Sequence, residues 1–292
     1  MRIPAVPPVP THAPRGFTLI ELAIVMFVVA LLLGGILLPL SAQQDIRARQ
    51  ETERILANAR DALLGFTILN ERLPCPATAN SAGRETFCST QTYPCTGVEE
   101  YAYNSNTNNG YCFGYYGNFL PAVTLGIQPI DANGFAVDGW GANTANRLRY
   151  AVSTNSLRNF GTTIPTPFVL TRTQGMKDAR LKPDLSVCTS GAQVINPGTS
   201  TAETNTGQNN YARCVAAGGA LIEDAMAVIY SLGKNSGTDG SSADETHNPN
   251  PQATIAADPA FVSAAPGPAF DDQLVWLSAN TIFNRLVTAG KL

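Results

Sequence analysis

The chain has 292 residues, 44% hydrophobic and 14% charged, with a formal net charge of −3. That balance, with no basic cluster, argues against a dedicated nucleic-acid surface. It carries no Cys-x-x-Cys metal spacing and no phosphate-binding glycine loop, and His247 stands alone outside the first 16 residues, so no enzymatic site is expected.

Residues 1–16 hold Pro4, Pro7, Pro8, Pro10 and Pro14 and cannot form a regular helix, because proline removes donors and clashes with the preceding turn. An extended leader is expected there. Next come 24 residues, Phe17 to Leu40, whose only charge is Glu21. As a helix they would span roughly 36 Å, against a bilayer core of about 30 Å. A carboxylate near the middle of a bilayer costs on the order of 3 kcal/mol, so something must offset Glu21. A secretory signal peptide cut near Leu40-Ser41-Ala42 would have an apolar core of only about 7–15 residues. A plain anchor fits the length but gives no reason for Glu21. Cutting between Gly16 and Phe17 supplies one: the new ammonium lies within about a helical turn of Glu21, and a neighbouring copy displaced along the membrane normal can set its own Glu21 beside it.

Gly16, Phe17, Thr18, Leu19 and Glu21, followed by the long apolar run, resemble the prepilin signature of type IV pilins and type II secretion pseudopilins. The resemblance implies cleavage after Gly16 by a prepilin peptidase/methyltransferase on the cytoplasmic face and N-methylation of Phe17. It implies a filament core in which Glu21 pairs with a neighbour's N-terminus. The implied partners are other pilins or pseudopilins, an inner-membrane assembly platform and the lipid bilayer. The expected organisation is a leader at 1–16, a transmembrane and assembly helix at 17–40, an amphipathic continuation at 41–72 and a periplasmic head at 73–292. Gly34, Gly35 and Pro39 weaken the helix late in the run.

Beyond the span, Ile55, Ala59, Ala62, Phe66 and Leu69 form one apolar stripe at helical spacing, and Pro74 and Pro76 end the pattern. Flanking arginines are diluted by acids, so charge leaves the orientation open. Cysteine decides it better. Cys75, Cys88, Cys95, Cys112, Cys188 and Cys214 all lie beyond the span, an even count that suggests disulfides in an oxidising compartment such as the periplasm. The working pairing joins Cys188 to Cys214 and lets the earlier four staple their own region. Without the leader, 17 basic residues face 22 acidic ones, a net charge of −5.

Residues 74–118 are rich in Cys, Asn, Gly and Tyr and read as a loop held by disulfides, with Tyr101, Tyr103, Tyr111, Tyr115 and Tyr116 either a contact surface or packing over a disulfide. Asp138-Gly-Trp-Gly marks a tight turn. Strands are expected at 148–152, 167–171, 225–232 and 273–277, with a loop at 195–210. A short helix should run from about Ala279 to Ala289, with Ser278 as N-cap and Gly290 as its stop. The fold class is α+β, one long helix packed on an antiparallel sheet, pilin-like.

The 138–150 segment, and the loop after Ser231-Leu232-Gly233 leading to Asp271-Asp272 and Trp276, resemble the head of the major pseudopilin. That resemblance implies calcium, for which Asp239, Asp244, Glu245, Asp271 and Asp272, with the Leu232 carbonyl, could supply the ligands; a solvated acidic loop is the alternative. No other cofactor is required. The leading reading is a structural subunit of a pilus or secretion pseudopilus; the alternative is a minor tip pilin for adhesion, binding or DNA uptake.

Overall fold

The computed structural model describes residues 16, 18–92, 95–141, 144–154, 169–177, 181–195, 213–215, 218–238, 242–248, 259–267 and 269–292, without the side chains of 33–42. The first helix, α1, covers Leu19–Asn70 as 52 continuous residues. The chain divides into two compact units, residues 1–46 and 47–292.

In the first unit the large apolar side chains from Leu19 to Leu32 are exposed, Leu19 at 88% and Phe27 at 68%. No helix is long and apolar enough to cross a membrane among the described residues. The rest of the expected span, 33–40, has its side chains outside that description.

The second unit contains β1 (Phe87–Cys88), β2 (Glu99–Glu100), β3 (Asn118–Phe119), α2 (Ala122–Leu125), β4 (Arg149–Val152), β5 (Leu185–Cys188), β6 (Val194–Ile195), β7 (Arg213–Cys214), β8 (Ala220–Ser231), β9 (Ala260–Val262), β10 (Gln273–Ser278) and α3 (Ala279–Thr288). The main sheet runs β3-β4-β8-β5-β9, with β10 also on β8. β8 is its organiser: its 12 residues pair antiparallel with β4, β5 and β10. The expected antiparallel sheet is in fact mixed, because β9 lies parallel to β5. Parallel neighbours need a long connection rather than a hairpin, and the chain between β5 and β9 passes through β8 first. β4 and β5 meet β8 in successive registers, Val152 opposite Ala227 and Leu185 opposite Ala225. Buried Asp184 joins their ends, accepting from the Thr154 amide and hydroxyl while its own N–H donates to Ser153 Oγ.

Helix α1 covers one face of this sheet. Ile55, Leu56, Ala59, Leu63 and Leu64 pack with Tyr150, Val152, Met226, Ala227, Ile229 and Leu277, joined by Ile282 and Leu286 of α3. Full burial of side chains this size contributes roughly 1.5–3 kcal/mol each. The buried stripe therefore differs from the expected one: Ala62 and Phe66 sit at its margin, and Leu69 is 79% exposed. The sheet presents its near face to Leu63 and Leu64 instead. The opposite face buries Ala151, Leu185, Val187, Val228, Tyr230 and Phe261. β4 is thus buried on both faces, not half-buried.

The cysteine-rich region is also more than a stapled loop, since Phe87 and Tyr115 enter the main core. Arg72, just past α1, makes a two-pronged 2.8 Å ion pair with Glu85 and lies over the rings of Phe66, Phe87 and Tyr103. Of the five tyrosines only Tyr101 reaches exposure; Tyr115 is buried, so a continuous tyrosine contact surface is absent. The strand expected at 167–171 is a turn over its described part, with the Arg172 N–H on the Val169 carbonyl and the Leu170 carbonyl taken by the Leu73 N–H. Ile195 belongs to β6, paired with β7, and 196–210 lie outside the described residues.

Candidate assembly motif and acidic cluster

Four residues of the N-terminal motif, Gly16, Thr18, Leu19 and Glu21, can be placed; all are exposed, and Phe17 lies outside the described residues. Helix starts leave their first amides without intrahelical partners. Here Glu21 Oε2 accepts from the Thr18 N–H and hydroxyl, both at 2.9 Å, while the Glu21 N–H donates to Thr18 Oγ1 at 3.3 Å. This is the reciprocal pattern of a capping box. The three-residue Thr-to-Glu spacing is visible in the sequence, yet the sequence reading assigned Thr18 no role. Glu21 is held at the first turn of α1, near the position that cleavage would make the chain's amino end, with its carboxylate open to a neighbour.

In the head, three carboxylates converge. Glu245, Asp271 and Asp272 each offer an oxygen within 4.8 Å of the others. The backbone arranges this. Asp271 and Asp272 enter β10, and the Asp271 N–H donates to Glu245 Oε1 at 2.9 Å. Asp271 Oδ2 takes the Lys234 N–H at 3.0 Å, which fixes the turn after β8. Asp272 is 4% exposed; its Oδ2 accepts from Asn248 Nδ2 at 2.6 Å, while Oδ1 is buried without a hydrogen-bond partner. Burial lifts the Asp272 carboxyl to about 8 and raises Asp271 as well, with neighbouring carboxylates adding to both.

Of the residues expected to hold calcium, Glu245, Asp271 and Asp272 lie in this group. Asp244 does not: its Oδ1 takes the Gly191 N–H at 2.6 Å. A short helical turn at Glu245–His247 aims Glu245 inward, a geometry no local pattern announces. Asp239 lies outside the described residues, and Leu232 is buried beside the turn. Hard oxygen donors with a buried, orphaned carboxylate oxygen suit a hard cation such as calcium.

The turn at Asp138 ties this region to α1. Asp138 accepts from Ser231 Oγ at 2.6 Å, the Trp140 N–H at 2.9 Å and Asn146 Nδ2 at 3.4 Å, and desolvation still lifts its carboxyl to about 6. The Gly139 N–H donates to Thr52 Oγ1 at 3.0 Å. A Cβ at Gly139 would stand 2.2 Å from the Ala48 carbonyl oxygen, so only glycine lets the turn touch the helix.

The cysteines pair as Cys75–Cys112, Cys88–Cys95 and Cys188–Cys214.

A family profile, the prokaryotic N-terminal methylation motif, matches residues 12–37. The chain thus carries an N-terminus of the type IV pilin and pseudopilin type, which implies a structural protein processed by prepilin peptidase and assembled with other pilins. No curated protein and no solved structure matches the chain.

Proposed function

We propose that this chain is a subunit of a type IV pilus or type II secretion pseudopilus, cut after Gly16, methylated on Phe17 and assembled through its N-terminal helix. Residues 17–40 anchor it in the inner membrane before assembly, with the head on the periplasmic side and the assembly platform and lipid as partners. The supporting observation is Glu21, an exposed carboxylate held at the first turn of a helix whose apolar side chains are also exposed. In lipid that carboxylate is costly until a neighbour's new ammonium neutralises it. The Glu21→Ala variant should be cleaved normally yet stay out of filaments; normal incorporation overturns the pairing role. Edman sequencing of the purified protein should begin at residue 17.

The minor tip pilin, for adhesion, binding or DNA uptake, is favoured by one feature of the head: the described residues of the cysteine-rich stretch 74–117 add only the two-residue strands β1 and β2, which lie outside the main sheet. Such excursions hinder close lateral packing. Copy number relative to the other pilins of the filament separates tip from shaft.

The acidic cluster is read as a calcium site held by Glu245, Asp271 and Asp272. At about 100 times its Kd, calcium adds about 2.7 kcal/mol to stability. A melting temperature equal in calcium and in chelator overturns it.

A further inference from the structure

The acidic cluster and the docked part of α1 are joined by two independent hydrogen-bonded paths. One runs from Asp271 through the Lys234 amide to Gly233, whose N–H donates to Ser231 Oγ at 3.1 Å and whose carbonyl accepts from Asn146 Nδ2 at 3.0 Å. Ser231 Oγ donates in turn to Asp138, and the next amide, Gly139, donates to Thr52 on α1. Thr52 Oγ1 in turn donates a hydrogen bond to the Ala48 carbonyl at 2.8 Å. The second path is shorter. Asp271 and Asp272 are followed by Gln273, whose Nε2 donates to the Arg49 carbonyl at 3.4 Å. Both paths therefore end on the same turn of α1, Ala48 to Thr52.

We infer that a divalent cation bound by Glu245, Asp271 and Asp272 controls how firmly residues 47–55 of α1 are held on the head. This rests on the calcium reading above. Without a cation, three carboxyl groups share one pocket and Asp272 Oδ1 has no hydrogen-bond partner, and each of the two paths starts from a residue of that pocket. A cation gives those oxygens a shared partner, which fixes the 271–273 backbone and the Gly233 turn together. The gain passes to α1 because Gly139 and Gln273 have no slack: one touches the helix backbone directly and the other reaches it by a single side chain. Arg49 works against this, since its charge acts on Asp271 and a cation repels it. That effect is the smaller one because Arg49 is half exposed and screened. Coupling of this kind is reciprocal, so tightening α1 also tightens the cation.

Hydrogen exchange on the processed full chain in detergent, with calcium chloride or with EGTA, tests it. Calcium should slow exchange in residues 242–248, the cluster's own loop, and also at Gly139 and across 47–55, by at least about fivefold. In the Ser231→Ala, Gln273→Ala double variant, calcium should still protect 242–248 while the response at 47–55 falls away. Protection of 242–248 with no change at Gly139 or 47–55 in the unaltered protein overturns the coupling and leaves the calcium reading standing. A response at 47–55 that survives the double variant also overturns it. No protection anywhere overturns both.

Discussion

The N-terminal stretch and the head put apolar side chains to opposite uses. From Leu19 to Leu32 the large apolar side chains are exposed among the described residues; from Ile55 onward they close a core in which Leu56 and Ala59 are 1% exposed or less. On the proposed function the first region is completed by other molecules, whereas the second is closed by its own chain. The same helix serves both, so its two halves should respond differently to change.

The sharpest test of that contrast is Glu21→Ala. It should reduce filament incorporation to background, read by shearing and immunoblotting, while the melting temperature of the head stays unchanged, because the Glu21 contacts described are all with Thr18. A head that melts earlier would mean the regions are not separable in this way.

Disulfides probe the other side. Replacing Cys75 and Cys112 by alanine removes a closure of 37 residues, worth about 4 kcal/mol by loop entropy, whereas Cys88 and Cys95 close only 7, worth about 2 kcal/mol. Denaturant midpoints should rank in that order. Cys75 and Cys112 also line the main core, which widens the gap. Both losses should appear in the head and leave cleavage after Gly16 untouched.

The contrast extends to what could be read from the sequence. The N-terminal motif was legible because its residues act within one turn of helix, and Glu21 in a greasy run asks for an explanation by itself. β8, β10 and α3 were legible as continuous apolar runs with a cap or a stop. The partners of those runs were not. Glu245 meets Asp271 across 26 residues, Gly139 meets Thr52 across 87, and the parallel β5–β9 pair depends on a route no local spacing encodes. The misplaced strand at 167–171 and the misjudged Leu69 fail for the same reason: an apolar residue states that it wants cover, and only the fold states where cover is. The working disulfide assignment Cys188–Cys214 matches the bond in the structure, beside the pairing of β6 with β7.

Acidity gives a third test inside the head. The folded Asp138 carboxyl, lifted to about 6 by burial, favours its protonated form. Its contribution is full below the unfolded value near 4 and is lost as pH rises through about 6. At roughly 1.4 kcal/mol per pKa unit this amounts to about 3 kcal/mol, so in chelator the head should melt lower at pH 7 than at pH 4.5. Asp138→Asn should reduce that slope between about pH 4 and 6 without abolishing it, because Asp272, lifted to about 8, and Asp271 act in the same direction. An unchanged slope would place the proton-linked cost elsewhere in the head.

The smallest expected effect lies where sequence and structure agree most closely. Ser278 caps α3: its side chain accepts the Thr281 N–H at 3.3 Å, and Gly290 ends the segment with a φ of +67° that other residues rarely adopt. Ser278→Ala should cost about 1 kcal/mol, visible as a small drop in the denaturant midpoint. Because Ser278 also ends β10, directly after Leu277 in the main core, a loss much larger than this would show that the cap holds the strand as well as the helix. In that case α3 would be a structural clamp on the sheet edge, and the head's stability would depend on its last turns as strongly as on its disulfides. A loss near 1 kcal/mol instead leaves α3 a cover whose two buried side chains, Ile282 and Leu286, do most of the holding.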